Sequence, residues 1–294
     1  MKRLHLDLSA GASGDMFVAA LIDLGADPRE IERQLRALPV HGYHLHVARR
    51  SKMAIEGVKF DVHLDADGPC ATTQGHSHGH PHGHSHGHSH GHSHGHSHGH
   101  SHGHSHGHSH GHDHGHDHGH DHGHDHGHVH GRGFAEIRRL IHESTLSSWV
   151  QERATGVFHR IAVAEGKIHG VEPERVTFHE VGAVDSIVDI VAACVALELL
   201  GRPTVSAGAV VEGTGFVRCA HGRMPLPAPA TLEILGARGI PISQCEEPHE
   251  MLTPTGAALL SEFAASFGPM RGVVGARVGY GVGTRDHASR ANVL

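Results

Sequence analysis

Hydrophobic and polar positions along the chain alternate with two periods, which indicate strands interspersed with helices. Residues Arg3 to Leu8 alternate as a short strand does, and the turn-rich segment Ser9 to Gly14 follows them. Helical periodicity then runs from Asp15 to Leu24, where Gly25 ends it. The pattern next predicts a helix over Pro28 to Leu38 and strands over Tyr43 to Arg50 and Gly57 to Leu64.

The globular pattern returns after Gly133 with helices predicted over Phe134 to His142, Leu146 to His169 and Val184 to Leu200. The last of these is apolar on nearly every side, as a helix buried between layers is. Short strands are predicted at Thr204 to Val211 and Gly239 to Ser243. Helices are predicted to start near Pro229 and Pro254, the second with Thr253 as its N-cap. The segment from Arg271 to Leu294 is glycine-rich with strand character. This order predicts an α/β or mixed α+β layered globular domain.

A histidine repeat interrupts that domain. From His76 to His130 every second residue is histidine, 28 in all, and the spacers are mostly Gly, Ser and Asp. With almost no apolar side chains, the segment cannot offset a backbone ordering cost of roughly 1–2 kcal/mol per residue. The prediction is therefore a disordered insertion over residues 66–132, between a first part of the core domain at 1–65 and a second part at 133–268.

The repeat has the composition of a metal chelator. Residues i and i+2 of an extended chain project to the same side, so neighbouring imidazoles can bind one ion. The predicted metal ligands at the N-terminal end of the repeat are His76, His78, His80, His82, His84, His86, His88 and His90. Imidazole suits zinc, copper, iron and nickel, which leaves the metal open, and binding should weaken below about pH 6. The alternative is a hydrophilic spacer or an expression tag.

Composition narrows the function further. The formal charge is -7 with 40 histidines counted neutral, the 24 Lys and Arg residues are scattered, and aromatics make up 4%, so no nucleic-acid surface is expected. No run approaches the length of a membrane span and the N-terminus is not a signal sequence, which predicts a cytoplasmic protein without a membrane partner. The cysteines form no Cys-x-x-Cys pair and predict neither a thiolate zinc site nor a redox dithiol; they are Cys70, Cys194, Cys219 and Cys245.

The loop between the first strand and the first helix is a candidate phosphate site. Backbone N–H groups at a helix start can hold a phosphate, so Ser9, Gly11, Ser13 and Gly14 are predicted to contact a nucleotide. The loop lacks the lysine of a P-loop and does not fit G-x-G-x-x-G. A tight turn with a serine cap is the alternative.

Ligand-type residues outside the repeat concentrate between Phe178 and Ile190. The predicted metal ligands are His179, Glu180, Asp185 and Asp189, with His221 from a proline-rich loop. Arg223 in the same loop is the candidate phosphate clamp. The competing explanations are a helix-dipole role for Asp185 and a satisfied core histidine for His179. Glu165 and His169, also one helical turn apart, are expected to form a surface pair. No catalytic residue is assigned.

Five motifs taken together resemble the nickel insertion protein LarC family over nearly the whole chain outside the repeat. They are Asp7–Met16, Phe178–Asp185, His221–Pro229, Thr253–Ala258 and Gly279–Asp286. The resemblance implies insertion of Ni2+ into pyridinium-3,5-bisthiocarboxylic acid mononucleotide, in a lyase-class, CTP-dependent reaction with Mg2+ or Mn2+. The product would be the pincer cofactor of an apo enzyme such as lactate racemase. Because the acceptor supplies its own sulfurs, exchangeable N and O ligands would suffice on the protein.

The resemblance also implies a missing part. Family members usually continue into a C-terminal domain associated with CTP binding, whereas this chain stops at Leu294. Residues 269–294 are accordingly expected to be the start of a truncated C-terminal domain, with a separate C-terminal chain and a homo-oligomer as further expected partners. The alternatives left open are a non-catalytic nickel or zinc store or metallochaperone, and a metal-dependent hydrolase using Asp185 and Asp189, for which no nucleophile and base are recognisable.

Overall fold

A short parallel sheet and its flanking helices form the frame of the domain. The computed structural model describes residues 2–65 and 131–294. The helices are α1 (Gly14–Asp23), α2 (Pro28–Leu35), α3 (Phe134–Glu143), α4 (Ser148–His169), α5 (Val184–Leu199), α6 (Pro229–Gly236) and α7 (Pro254–Phe263), with a 3-10 turn at Pro173–Arg175. The strands are β1 (Arg3–Leu6), β2 (Tyr43–Lys52), β3 (Ile55–Leu64), β4 (Thr204–Ala207), β5 (Val210–Glu212), β6 (Phe216–Cys219), β7 (Gly222–Pro225), β8 (Ile242–Gln244) and β9 (Ala264–Phe267).

Strand pairing joins the two halves of the sequence across the repeat. The parallel sheet has the order β1-β4-β9, with Arg3 beside Thr204 and Leu6 beside Ala207. A second parallel pair joins β5 to β8, and two antiparallel hairpins are formed by β2 with β3 and by β6 with β7. Parallel strands with intervening helices alongside antiparallel hairpins confirm the predicted mixed α/β class.

Helix α5 is the centre of the core, as its all-round apolar sequence predicts. It packs against α1, α2, α4 and strand β3. A run of small residues, Ala192, Ala193 and Ala196, is fully buried and allows neighbouring helices to approach closely. Within residues 2–65 and 131–294, none of the helices combines the length and apolarity needed to cross a bilayer.

Two predicted elements differ from the structure, and strands β6, β7 and β9 were not predicted. The strand expected over 204–211 is split into β4 and β5 at Gly208, whose N–H turns to the carbonyl oxygen of Leu6 at 2.8 Å. Strand β7 was not predicted because the prolines and glycine at 221–229 indicated a loop. The strand character expected for 271–294 is wrong for that part of the chain, which has only isolated bridges such as Val58 to Gly281. Gly281 lies directly on the backbone of Met16 in α1, so close approach explains the glycines there.

Candidate metal site

Three imidazole rings meet on one surface of the domain. The ring centroids of His169 and His221 are 4.8 Å apart, those of His179 and His221 are 4.9 Å apart, and those of His169 and His179 are 6.1 Å apart. We call His169, His179 and His221 the imidazole cluster. As placed, the three rings do not offer one nitrogen each within 4.8 Å of one another, so binding of one ion by all three requires their side chains to rotate.

Each ring of the imidazole cluster is presented by the end of a different element. His169 is the last residue of the 22-residue helix α4, which Gly170 closes in the left-handed conformation at φ 67°. His179 follows the buried Phe178, which anchors the loop before α5 in the core. His221 stands at the turn of the β6–β7 hairpin, where Cys219 pairs with Gly222.

Glu180 ties two of these elements together. Its Oε1 accepts a hydrogen bond from the backbone N–H of Ala220 at 2.9 Å, which fixes the hairpin turn against the His179 loop. The charge of Glu180 also acts on its surroundings, since it raises the pKa of Glu165 and opposes the lowering of the pKa of His221. Glu180 therefore belongs to the cluster both by contact and by charge.

Glu165 is one of several residues with a buried polar atom that lacks a hydrogen-bond partner in the described part of the chain. It lies one turn before His169 in α4, and in the described part of the chain its buried Oε2 has no hydrogen-bond partner. Burial, with the charge of Glu180, raises the pKa of Glu165 to about 7. A buried carboxylate without a partner is costly in its charged form, so the position favours a cation nearby.

Burial and neighbouring charges also shift the pKa values of His221 and Glu250. Burial, then the neighbouring His179 and His169, lower the pKa of His221, which keeps its imidazole neutral and able to bind a metal. Burial raises the pKa of Glu250 to about 7, with the charges of Glu212 and Glu180 adding to the effect and Arg285 opposing it. The neutral imidazole of His221 and the carboxyl group of Glu165 offer the nitrogen and oxygen ligand types that a divalent transition metal accepts.

A second group of acidic residues is compensated by a lysine. The Nζ of Lys59 lies 2.6 Å from Oδ2 of Asp15 and 2.9 Å from Oδ1 of Asp61. Asp189 lies beside this group, with its carboxylate against Gly14, and burial, then the charge of Asp15, raise its pKa well above the ordinary value. We call Asp15, Lys59, Asp61 and Asp189 the lysine-centred cluster.

The predicted metal ligands divide between the two clusters. His179, Glu180 and His221 come together, whereas Asp189 belongs to the lysine-centred cluster. Asp185 is exposed and accepts a hydrogen bond from the N–H of Ser186 at 2.8 Å, at the start of α5. Sequence reasoning noted the one-turn spacing of Glu165 and His169 but predicted a surface pair, whereas the ring of His169 lies beside those of His179 and His221. His76 to His90 lie outside the described residues.

Comparison with known proteins identifies the family. The profile of the nickel insertion protein family matches residues 4–294. The chain belongs to the nickel insertion protein family. A relative from Myxococcus xanthus is 41% identical over 292 residues, which cover 99% of this chain and 59% of that protein. No solved structure matches the chain.

Two further relatives carry a more specific name. Proteins from Geobacillus kaustophilus and Lactiplantibacillus plantarum are each named pyridinium-3,5-bisthiocarboxylic acid mononucleotide nickel insertion protein. Each is 38% identical to this chain, over 100% and 97% of its length respectively. The chain spans 59% of the length of each of these relatives.

The loop predicted to hold a nucleotide phosphate is engaged with its own protein. The N–H of Ser9 donates to Oδ1 of Asp7 at 3.0 Å, and the N–H of Gly11 donates to the carbonyl of Leu8 at 3.0 Å. Ser13 donates to Asp15, and Gly14 lies against Asp189. Carboxylates thus lie at the positive end of α1, where the phosphate was predicted, and the nucleotide role stays a prediction.

Arg223, the predicted phosphate clamp, lies on β7 and follows His221 of the imidazole cluster closely in sequence. Its guanidinium carbon is 4.0 Å from the centroid of the Phe216 ring, which holds the planar group by a cation–π contact. The side chain is exposed, so its hydrogen-bonding edge is accessible from solvent. Its role in anion binding stays a prediction.

Proposed function

We propose that this chain binds Ni2+ at the imidazole cluster and delivers it to pyridinium-3,5-bisthiocarboxylic acid mononucleotide. Family membership supports nickel handling, and the names of the relatives from Geobacillus kaustophilus and Lactiplantibacillus plantarum supply the acceptor. The observation that carries the proposal is the cluster of three imidazoles one helical turn from Glu165, a half-buried carboxylate whose buried Oε2 has no hydrogen-bond partner among the described residues.

Nickel is the substrate in this proposal, and the ligand chemistry favours its transfer. Imidazole and carboxylate bind Ni2+ with nitrogen and oxygen, whereas the acceptor offers softer sulfur. Binding requires Glu165 to lose its proton, because the pKa of that group is about 7. As bonds from nickel to sulfur replace those to the protein, Glu165 can take a proton back, which returns the cluster to its metal-free state.

Further parts of the proposal concern the cosubstrate, the reaction class, the cellular location and the enzyme that receives the cofactor. We include CTP with Mg2+ or Mn2+ as cosubstrate, the lyase class, action in the cytoplasm, and an apo enzyme such as lactate racemase as recipient. The loop residues Ser9, Gly11, Ser13 and Gly14 with Arg223 are the proposed contacts to nucleotide phosphate.

The test reconstitutes cofactor maturation. The chain, a partner supplying the remaining length of the relatives, nickel, CTP and precursor are incubated, and activation of apo lactate racemase is measured. We expect the double variant His179→Gln with His221→Gln to abolish activation, while the exposed His142→Gln on α3 retains it. Equal activation by the double variant would reject insertion at the imidazole cluster.

A second comparison separates insertion from storage. The repeat-neutral chain is the full-length protein in which the 28 alternate histidines from His76 to His130 are replaced by serine. If it matures the cofactor at ample nickel, the repeat is a reservoir attached to an insertase. If the folded domain contributes nothing beyond metal capacity, the non-catalytic store is correct and the proposal fails.

A further inference from the structure

The β2–β3 hairpin carries ligand-type side chains on one face. In its antiparallel register His44 pairs with His63 and His46 pairs with Asp61. Directly paired residues project to the same face of a hairpin, and alternate residues project to opposite faces. His44, His46, Asp61 and His63 therefore share one face, opposite the face that carries Leu45, Val47, Phe60 and Val62.

Three of these side chains are close enough to share an ion. One ligand atom each from His46, Asp61 and His63 can be chosen so that all lie within 4.8 Å of one another. The rings of His46 and His63 are nearly perpendicular, with centroids 5.8 Å apart. His46 and His63 are exposed and Asp61 is half-buried, so solvent and incoming ligands reach the site.

We propose that His46, Asp61 and His63 form a second metal site, which binds a divalent transition-metal ion such as Ni2+ reversibly. Two imidazoles and a carboxylate are ligands that nickel, zinc and copper accept. Three protein ligands leave coordination positions open, as in sites that exchange their ions or ligands, whereas structural sites are closed by four. An exposed three-ligand site thus suits uptake and release.

Lys59 orients the carboxylate of this hairpin site. Its Nζ contacts Oδ1 of Asp61 at 2.9 Å and Oδ2 of Asp15 at 2.6 Å. A carboxylate has two oxygens with several lone pairs, so Asp61 can accept from Lys59 and still bind an ion. Partners of this kind fix the direction of a metal ligand, and their loss commonly weakens metal binding.

The hairpin site lies close in sequence to the histidine repeat. Strand β3 ends at Leu64, and the same chain enters the histidine repeat at His76. The hairpin site is therefore joined to the start of the histidine repeat by the short stretch of residues 64–75. We assign the hairpin site to metal acceptance by the folded domain, separate from the imidazole cluster.

The experiment measures Ni2+ binding to the repeat-neutral chain by equilibrium dialysis and calorimetry. Ni2+ alone is the probe. His46→Gln with His63→Gln should remove one bound equivalent, or weaken it by at least the roughly 10–100-fold that loss of an outer-shell partner costs. Asp61→Asn should weaken the same equivalent. Circular dichroism confirms that each variant is folded, which is expected because His46 and His63 are exposed.

His44→Gln is the matched control, because His44 lies on the same face of the same hairpin but outside the three-residue set. It should retain the bound equivalent. An equal loss in His44→Gln, or unchanged binding in His46→Gln with His63→Gln, would overturn the hairpin site. If only variants of the imidazole cluster lose nickel, the hairpin proposal fails while the proposed function stands.

Discussion

The imidazole cluster and the lysine-centred cluster contain similar residue types but differ in how their charge is balanced. In the lysine-centred cluster, Lys59 bridges Asp15 and Asp61, and burial raises the pKa of Asp189, whose buried Oδ1 also has no hydrogen-bond partner in the described part of the chain. In the imidazole cluster, Glu165 forms no ion pair and no hydrogen bond through Oε2 among the described residues. Lys59 thus supplies a positive charge to Asp15 and Asp61, whereas no such charge balances Glu165 in the described part of the chain.

The largest expected effect comes from removing two imidazoles. In the repeat-neutral chain, His179→Gln with His221→Gln should lower Ni2+ affinity at the imidazole cluster by at least about 100-fold, because loss of even one outer-shell partner costs roughly 10–100-fold. Calorimetric titration measures this, with His142→Gln as the control. Unchanged affinity in the double variant would remove the distinction between the two clusters.

Glu165→Gln tests the unbalanced carboxylate through stability. The pKa of Glu165 is about 7 in the folded protein, above its ordinary value of 4.5, so folding holds an extra proton between these pH values and apo stability falls as pH rises through them. The variant lacks this loss. At pH 8 without metal we expect it to be more stable than the parent by roughly 1–3 kcal/mol, against a smaller difference at pH 4.

Urea unfolding at both pH values measures the effect of Glu165→Gln. Added Ni2+ should reverse the order at pH 8, because the parent alone offers a carboxylate to the ion. A variant equally stable at both pH values, with no change in nickel dependence, would contradict the assignment of Glu165 as a poised ligand.

Gly14→Ala tests the packing of the lysine-centred cluster. A methyl group at Gly14 would come within 2.8 Å of Cβ and 2.9 Å of Oδ2 of Asp189. Overpacking of this kind costs about 1–3 kcal/mol, measurable by chemical denaturation. Gly236→Ala, at the end of α6 with nothing within 4 Å, is the matched control and should be neutral or stabilising. Equal behaviour of the two variants would argue against the close approach of α1 and α5.

The smallest effect is expected for Asp189→Asn. Because burial already favours the neutral form of Asp189, an uncharged side chain of the same shape should change the free energy of unfolding by less than about 1 kcal/mol at neutral pH. Nickel affinity should also stay at the parental value, within error of titration. A marked loss of nickel binding would instead return Asp189 to the ligand set predicted from the sequence.

The starts of helices and the apolar character of α5 could be predicted from the sequence, because they depend on residues that are close together along the chain. Helices α6 and α7 begin at Pro229 and Pro254 as expected, and Thr253 caps α7 by accepting from the N–H of Gly256 at 3.1 Å. The buried helix α5 followed from its apolar periodicity. These features depend on neighbouring residues only.

The composition of each cluster was harder to predict because it depends on distant contacts. His179 and His221 were both chosen by residue type, but the hairpin turn that carries His221 towards His169 was not recognised. Lys59 lies in strand β3, and its pairing with Asp15 depends on how that strand packs against α1. The hairpin site required the register of β2 with β3, which places His46 opposite Asp61.

Nickel K-edge X-ray absorption tests the central claim most directly. The sample is the repeat-neutral chain carrying His63→Gln, which removes a ligand of the hairpin site, loaded with substoichiometric Ni2+. We predict nitrogen and oxygen ligands, no sulfur, and outer-shell scattering from more than one imidazole, all lost on adding His179→Gln and His221→Gln. A spectrum that these substitutions leave unchanged, with nickel still bound, would contradict the account.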